Sequence, residues 1–145
     1  MANPVKPIPD GYHTVTPYLV VSGVARLLEF QQQAFGATVI ERMTRPDGTV
    51  MHAEVRLGDS MVMLGEPQEA SQAMPAMLYL YLEDVDAVYR RALAAGATSV
   101  REPATQFYGD RNCGVRDACG NQWWIATHVE NVSPEEMKRR ASANA

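Results

Sequence analysis

Apolar and polar positions along this chain follow two periods, and the switches between them mark out short elements. An apolar stretch over 14–21 predicts a strand, closed by Ser22-Gly23. Over 24–35, Val24, Leu27, Leu28 and Phe30 recur near the helical period, and Gly36 suits the residue after a helix end. Strands are predicted at 38–44, 50–57 and 60–65, separated by Pro46-Asp47-Gly48 and Gly58-Asp59, both turn sequences. The same order then returns. A strand is predicted at 76–82 and a helix at 85–95, with Asp84 as its N-cap and Gly96 as its stop. Strands follow at 98–102, 112–116 and 122–128; residues 106–110 lead into the second, and Asp117-Ala118-Cys119-Gly120 turns into the third. Ser133-Pro134-Glu135-Glu136 opens a last helix, at 133–142: Ser133 caps the amide of Glu136, and Pro134 takes a position where no N–H is needed.

This is a repeat. Ala34-Phe35-Gly36-Ala37-Thr38 resembles Ala94-Ala95-Gly96-Ala97-Thr98, Val55-Arg56 returns as Val115-Arg116, and Tyr18-Leu19 returns as Tyr79-Leu80. The spacing is about 60 residues, and the element order matches better than the identities do. The reading is one α+β domain over 1–145, with βαβββ modules at 12–66 and 76–130, a linker at 67–75 and the C-terminal helix. A dimeric ferredoxin-like barrel is the competing arrangement, and three strands after each helix argue against it.

Strand alternation sorts the side chains into faces. In the third strand Met51, Ala53, Val55 and Leu57 form an apolar set that packs on a helix, leaving His52, Glu54 and Arg56 for water or a cavity. His52 and Glu54 are either a proton-transfer pair with ligand contacts or a cross-strand hydrogen bond on a wet face. Thr14, Thr16, Tyr18 and Val20 share a face, as do Gln122, Trp124, Ala126 and His128. Tyr18, Tyr79, Tyr81 and Trp124 are either an aromatic wall for a flat ligand or core filler. His13 and His128 read as structural or surface groups.

Composition removes several function classes. The formal net charge is −4 and there is no basic stripe, so nucleic acid is not an expected partner; Lys138-Arg139-Arg140 reads as the last turn of a solvated helix. There is no apolar stretch long enough to span a bilayer and no signal-like N-terminus, so the expected location is the cytoplasm, with no membrane partner. There, Cys113 and Cys119 are expected as reduced thiols, with a reactive Cys113 as the alternative.

Pro17-Tyr18-Leu19-Val20-Val21, Glu29-Phe30, Ala34-Phe35-Gly36-Ala37, His52-Ala53-Glu54 and Gly58-Asp59-Ser60 occur in that order, followed by Tyr108-Gly109-Asp110-Arg111 and Trp123-Trp124-Ile125-Ala126-Thr127-His128. Together, over residues 7–140, they resemble the vicinal-oxygen-chelate superfamily, nearest to the bacterial glyoxalase/bleomycin resistance protein-like proteins of the PhnB-like branch. The resemblance implies paired modules forming a curved mixed sheet around a cavity, often in a homodimer. It also implies four metal-ligand positions, which fall here on Thr16, Leu64, Met77 and Trp124, or on Glu66 in place of Leu64 after a register slip. Thr16, Leu64, Met77 and Trp124 are not the imidazoles and carboxylates a divalent metal takes, and Glu66 alone would be one carboxylate where several ligands are needed, so neither metal nor other cofactor is expected. A non-standard site of His52, Glu66 and His128 is the remaining metal option. A second departure is Asp117-Ala118-Cys119-Gly120, where related proteins tend to carry proline after the aspartate.

Two functions follow as expectations. The first is metal-free binding of a small molecule, aromatic ligands included, by Tyr18, His52, Glu54, Arg56, Tyr79, Tyr81, Tyr108, Arg116 and Trp124. The alternative is a lyase, isomerase or dioxygenase using His52 and Glu54, with or without a divalent metal.

Overall fold

The computed structural model describes residues 4–144. The chain divides into two compact units, Met1–Pro75 and Ala76–Ala145.

Unit 1 runs β1 (Tyr18–Val20), α1 (Val24–Phe35), β2 (Thr38–Thr44), β3 (Val50–Leu57), β4 (Ser60–Gly65) and a short 3-10 turn at Ala70–Gln72. Its four strands lie in the order β1-β4-β3-β2, with β1 parallel to β4 and the other pairs antiparallel. Leu19, Ala53, Val55 and Leu64 are register neighbours or share their face, and all are buried beside Val24, Leu27, Leu28 and Ala34 of α1. That apolar layer is what holds helix to sheet. The start of α1 has no cap of its own. Instead the Glu66 carboxylate, at the end of β4, accepts from the amides of Gly23 (2.9 Å) and Val24 (2.9 Å), where the helix dipole favours negative charge. Gly36 ends α1 at φ 68°, and its N–H donates to the Gln32 carbonyl.

Unit 2 repeats the plan with β5 (Met77–Tyr81), α2 (Val85–Ala94), β6 (Thr98–Thr105), β7 (Asp110–Arg116) and β8 (Gln122–His128), then adds α3 (Pro134–Ala143). The strand order is β5-β8-β7-β6, again with one parallel pair, β5 with β8. Asp84 caps α2 by accepting from the Ala87 amide at 3.2 Å. Ser133 caps α3 as the sequence predicts, accepting from Glu136. The architecture is therefore α+β, with two four-stranded mixed sheets and three α-helices.

Three strands and one side chain depart most from expectation, each for a local reason. β1 begins only at Tyr18, because Pro17 brings no N–H to a ladder. β6 runs past Pro103 to Thr105; it is an edge strand with register shifts, where proline is tolerated. β7 starts two residues early because Asp110 and Arg111 pair with His128 and Thr127. Met51 does not join the helix-facing set: the β2–β3 register skips it between His52 and Val50, and it is 38% exposed while Val50 is buried. The turn at Asp117 forms without proline. Its carboxylate accepts from the Cys119 amide, the Asn121 amide and side chain, and Trp123 Nε1 at 2.7 Å.

Candidate functional site

The face of the unit 2 sheet that carries Tyr79, Asn112 and Trp124 is built around a buried acid. Asp110, 4% exposed at the start of β7, accepts hydrogen bonds from Tyr79 (2.8 Å), Tyr81 (3.0 Å) and His128 Nδ1 (2.9 Å). Burial alone would raise its carboxyl, but the bonds from His128, Tyr79 and Tyr81 win and hold it below the ordinary value. The same contacts keep the phenols protonated: burial first, then Asp110, push Tyr79 up to about 12, and the bond to Asp110 raises Tyr81. The bonds to Asp110 and Asn131 raise His128. Next along the face, Asn112 donates from Nδ2 to Tyr79 (3.0 Å) and Tyr108 (2.8 Å), while its Oδ1 accepts from Arg101 at 2.6 Å. Arg101 lies over the Trp124 ring, 4.8 Å from its centroid. That indole reaches across Gly114, its register partner, where a Cβ would meet ring atoms at 2.8–2.9 Å. Only glycine leaves room for it.

The corresponding face of unit 1 carries a shorter chain of groups. Tyr18 Oη lies 3.3 Å from His52 Nδ1, and His52 Nε2 lies 3.1 Å from Glu54 Oε2. A carboxylate accepts, so Nε2–H donates to Glu54, and in the neutral ring Nδ1 then accepts from the Tyr18 hydroxyl. Gly65 plays the part Gly114 plays in unit 2, since a Cβ there would collide with the Tyr18 ring. Arg56 is exposed toward one end of this face, opposite Met61 and Thr38.

Two four-stranded βαβββ sheets, each with its polar face organised around an aromatic over a glycine, are matched by sequence comparison. Residues 12–125 match the profile of the Glyoxalase/Bleomycin resistance protein/Dioxygenase superfamily. The chain belongs to that superfamily. An uncharacterised Mycobacterium bovis protein is 34% identical over 140 residues, covering 89% of this chain and 92% of that one. The structure of TioX from Micromonospora sp. ML1 superposes with a TM-score of 0.70 at 25% identity, covering 81% of this chain and 99% of TioX. A superfamily member from Sphaerobacter thermophilus gives 0.64 at 21% identity, covering 79% and 96%.

The superfamily's metal positions do not fit a metal in this chain. Leu64 is fully buried on the α1 side of its sheet, Thr16 donates its hydroxyl to the His13 carbonyl, Met77 is exposed, and the Trp124 nitrogen donates to Gln122. Glu66 is committed to the helix amides, and His128 to Asp110 and Asn131. Among the described residues, no group of three His, Cys, Asp or Glu side chains is placed to hold an ion. Cys113 is buried, and burial, followed by the charge of Asp86, pushes its thiol up to about 11, away from a reactive thiolate.

Of the residues singled out in the sequence, Tyr18, His52 and Glu54 meet in unit 1, and Tyr79, Tyr81, Tyr108 and Trp124 meet in unit 2. Arg116 shares the unit 2 face but sits exposed at the far end of β7, beside Gln122. His128, read as a surface group, is a bonded member of the network. Sequence reasoning missed its organisers, Asp110, Asn112 and Arg101. Asp110 and Asn112 lie two apart and so share a strand face, but Arg111 between them is polar as well, so no apolar–polar alternation marked that face.

Proposed function

We propose that this superfamily member is a small-molecule-binding protein of the PhnB-like branch that holds a flat ligand on the unit 2 face without a metal. The observation that carries the reading is Asp110. A buried carboxylate fixes two tyrosine hydroxyls inward, yet leaves Tyr79 41% and Tyr81 63% exposed. Large rings displayed to solvent and already immobilised lose little entropy on binding, which is how affinity is gained without new contacts.

One arrangement supports a second reading, a lyase, isomerase or dioxygenase. In the chain Tyr18–His52–Glu54, Glu54 holds the tautomer in which His52 Nδ1 can take a proton. A single experiment separates the two. Tryptophan fluorescence and calorimetric titration with a panel of planar aromatic compounds, with and without chelator, is run on the parent chain and on His52→Ala. Binding that ignores both the chelator and the substitution supports the binding protein. Absence of binding, with turnover that falls about a hundredfold or more in His52→Ala, supports the enzyme.

A further inference from the structure

We infer that the ligand of the unit 2 face is an acid, a planar molecule whose carboxylate or comparable oxyanion is read by Arg101. This rests on the binding reading above and adds the charge of the ligand. The argument runs through the direction of each hydrogen bond. Arginine only donates, so the Asn112 atom facing Arg101 at 2.6 Å must be the carbonyl oxygen. The Asn112 amide nitrogen then donates to both Tyr79 and Tyr108. The Tyr79 hydroxyl proton goes to Asp110, while that of Tyr108, whose oxygen accepts from Asn112, is used by neither Asn112 nor Asp110 and is left for a ligand. Among the described residues, Asn112 is the one hydrogen-bond partner of Arg101, which leaves most of a five-donor fork for a ligand. Stacking on Trp124 and the bond to Asn112 hold that fork in place before any ligand arrives.

The charges point the same way. The one carboxylate of the network, Asp110, is buried and already accepts three hydrogen bonds. The groups left to meet a ligand beside the Tyr79 and Tyr81 rings are therefore a preorganised guanidinium and a phenol donor, with exposed Arg116 further along the same strand face. Acceptor groups of a ligand fit them, and a bidentate oxyanion fits the guanidinium best.

The test uses two probes of one shape, 4-hydroxybenzoate and its neutral amide, 4-hydroxybenzamide. Both are titrated into the whole protein and into Arg101→Met and Arg101→Lys, with thermal melts to confirm folding. The expected result is at least tenfold tighter binding of the acid. Arg101→Met should abolish that preference, weakening the acid at least tenfold more than the amide, and Arg101→Lys should restore part of it. Equal affinity for the two probes, or an acid preference that survives Arg101→Met, overturns the inference while leaving the binding reading intact. Failure of both probes together with the wider aromatic panel overturns both.

Discussion

The two units share one plan and spend it differently. Each crosses a glycine with an aromatic ring, Gly65 with Tyr18 and Gly114 with Trp124, and each sets polar groups beside it. In unit 1 those groups form a line of three, His52 between Tyr18 and Glu54. In unit 2 they branch around two hubs, Asp110 and Asn112, each with three partners and joined through Tyr79. A line leaves one end able to move a proton. A branched network around two hubs fixes rings and fixes the direction of each donor bonded to a hub. One topology therefore carries a short line of polar groups and a branched, hub-centred network, and only the side chains distinguish them.

The strongest way to break this contrast is to remove the hub. In Asp110→Ala the Tyr79 and Tyr81 hydroxyls lose a charged acceptor, which should cost about 2 kcal/mol. For a chain of this size that is a fall in Tm of about 6 °C. His52→Ala, which removes a partly exposed pair, should cost about 1 kcal/mol or less. Calorimetry of the two variants side by side decides it; equal losses would mean that the unit 2 network is no more cooperative than the pair in unit 1.

A second contrast lies in the helices. The Gln31 carbonyl accepts from the Ala37 amide just as the Ala92 carbonyl accepts from Ala97, so the two positions correspond. Both are fully buried, but neither amide atom of the Gln31 side chain has a partner among the described residues. A buried unpaired amide is a standing cost, whereas alanine at the matching site carries none. Gln31→Met keeps the volume and removes the polarity, and should raise stability by about 1 kcal/mol, read as a higher urea midpoint at unchanged slope. A lower midpoint would show that unit 1 uses the amide.

How much of this the chain discloses depends on the range of the interaction. Helices and most strand edges were legible because periodicity and glycine act locally: α1 and the strands β2, β3, β4 and β8 fall on their expected bounds. The Met51 bulge was not, because it depends on how β2 and β3 align. The aromatic members of the site were legible as residue types that need a reason to be exposed. Arg101 was not, since a lone arginine before Glu102 and Pro103 looks like any edge-strand charge until the Asn112 and Trp124 side chains are seen beneath it. The capping role of Glu66 was not legible either, because nothing local shows that α1 lacks its own cap.

The smallest expected effect tests whether charge, and not only hydrogen bonding, ties His128 into the network. Nδ1 faces Asp110 Oδ1 at 2.9 Å and Nε2 faces Asn131 Oδ1 at 2.8 Å, two acceptors that favour the imidazolium, the form that donates from both nitrogens. The bond to Asp110 raises His128, so its stabilisation is complete below the unfolded value of about 6.5 and is lost as pH rises through the higher folded value. Asp110 is held low, so its share is complete above about 3.9 and is lost as pH falls through the lower folded value. The window in which both hold runs from about pH 4 to about pH 6.5. His128→Gln can keep a neutral hydrogen bond to Asp110 but not the charge. The difference in Tm between the parent chain and this variant should therefore peak inside that window and shrink on both sides. A difference that stays flat from pH 4 to pH 9 would mean that His128 serves Asp110 only as a neutral donor. The branched network of unit 2 would then be held by hydrogen bonds alone.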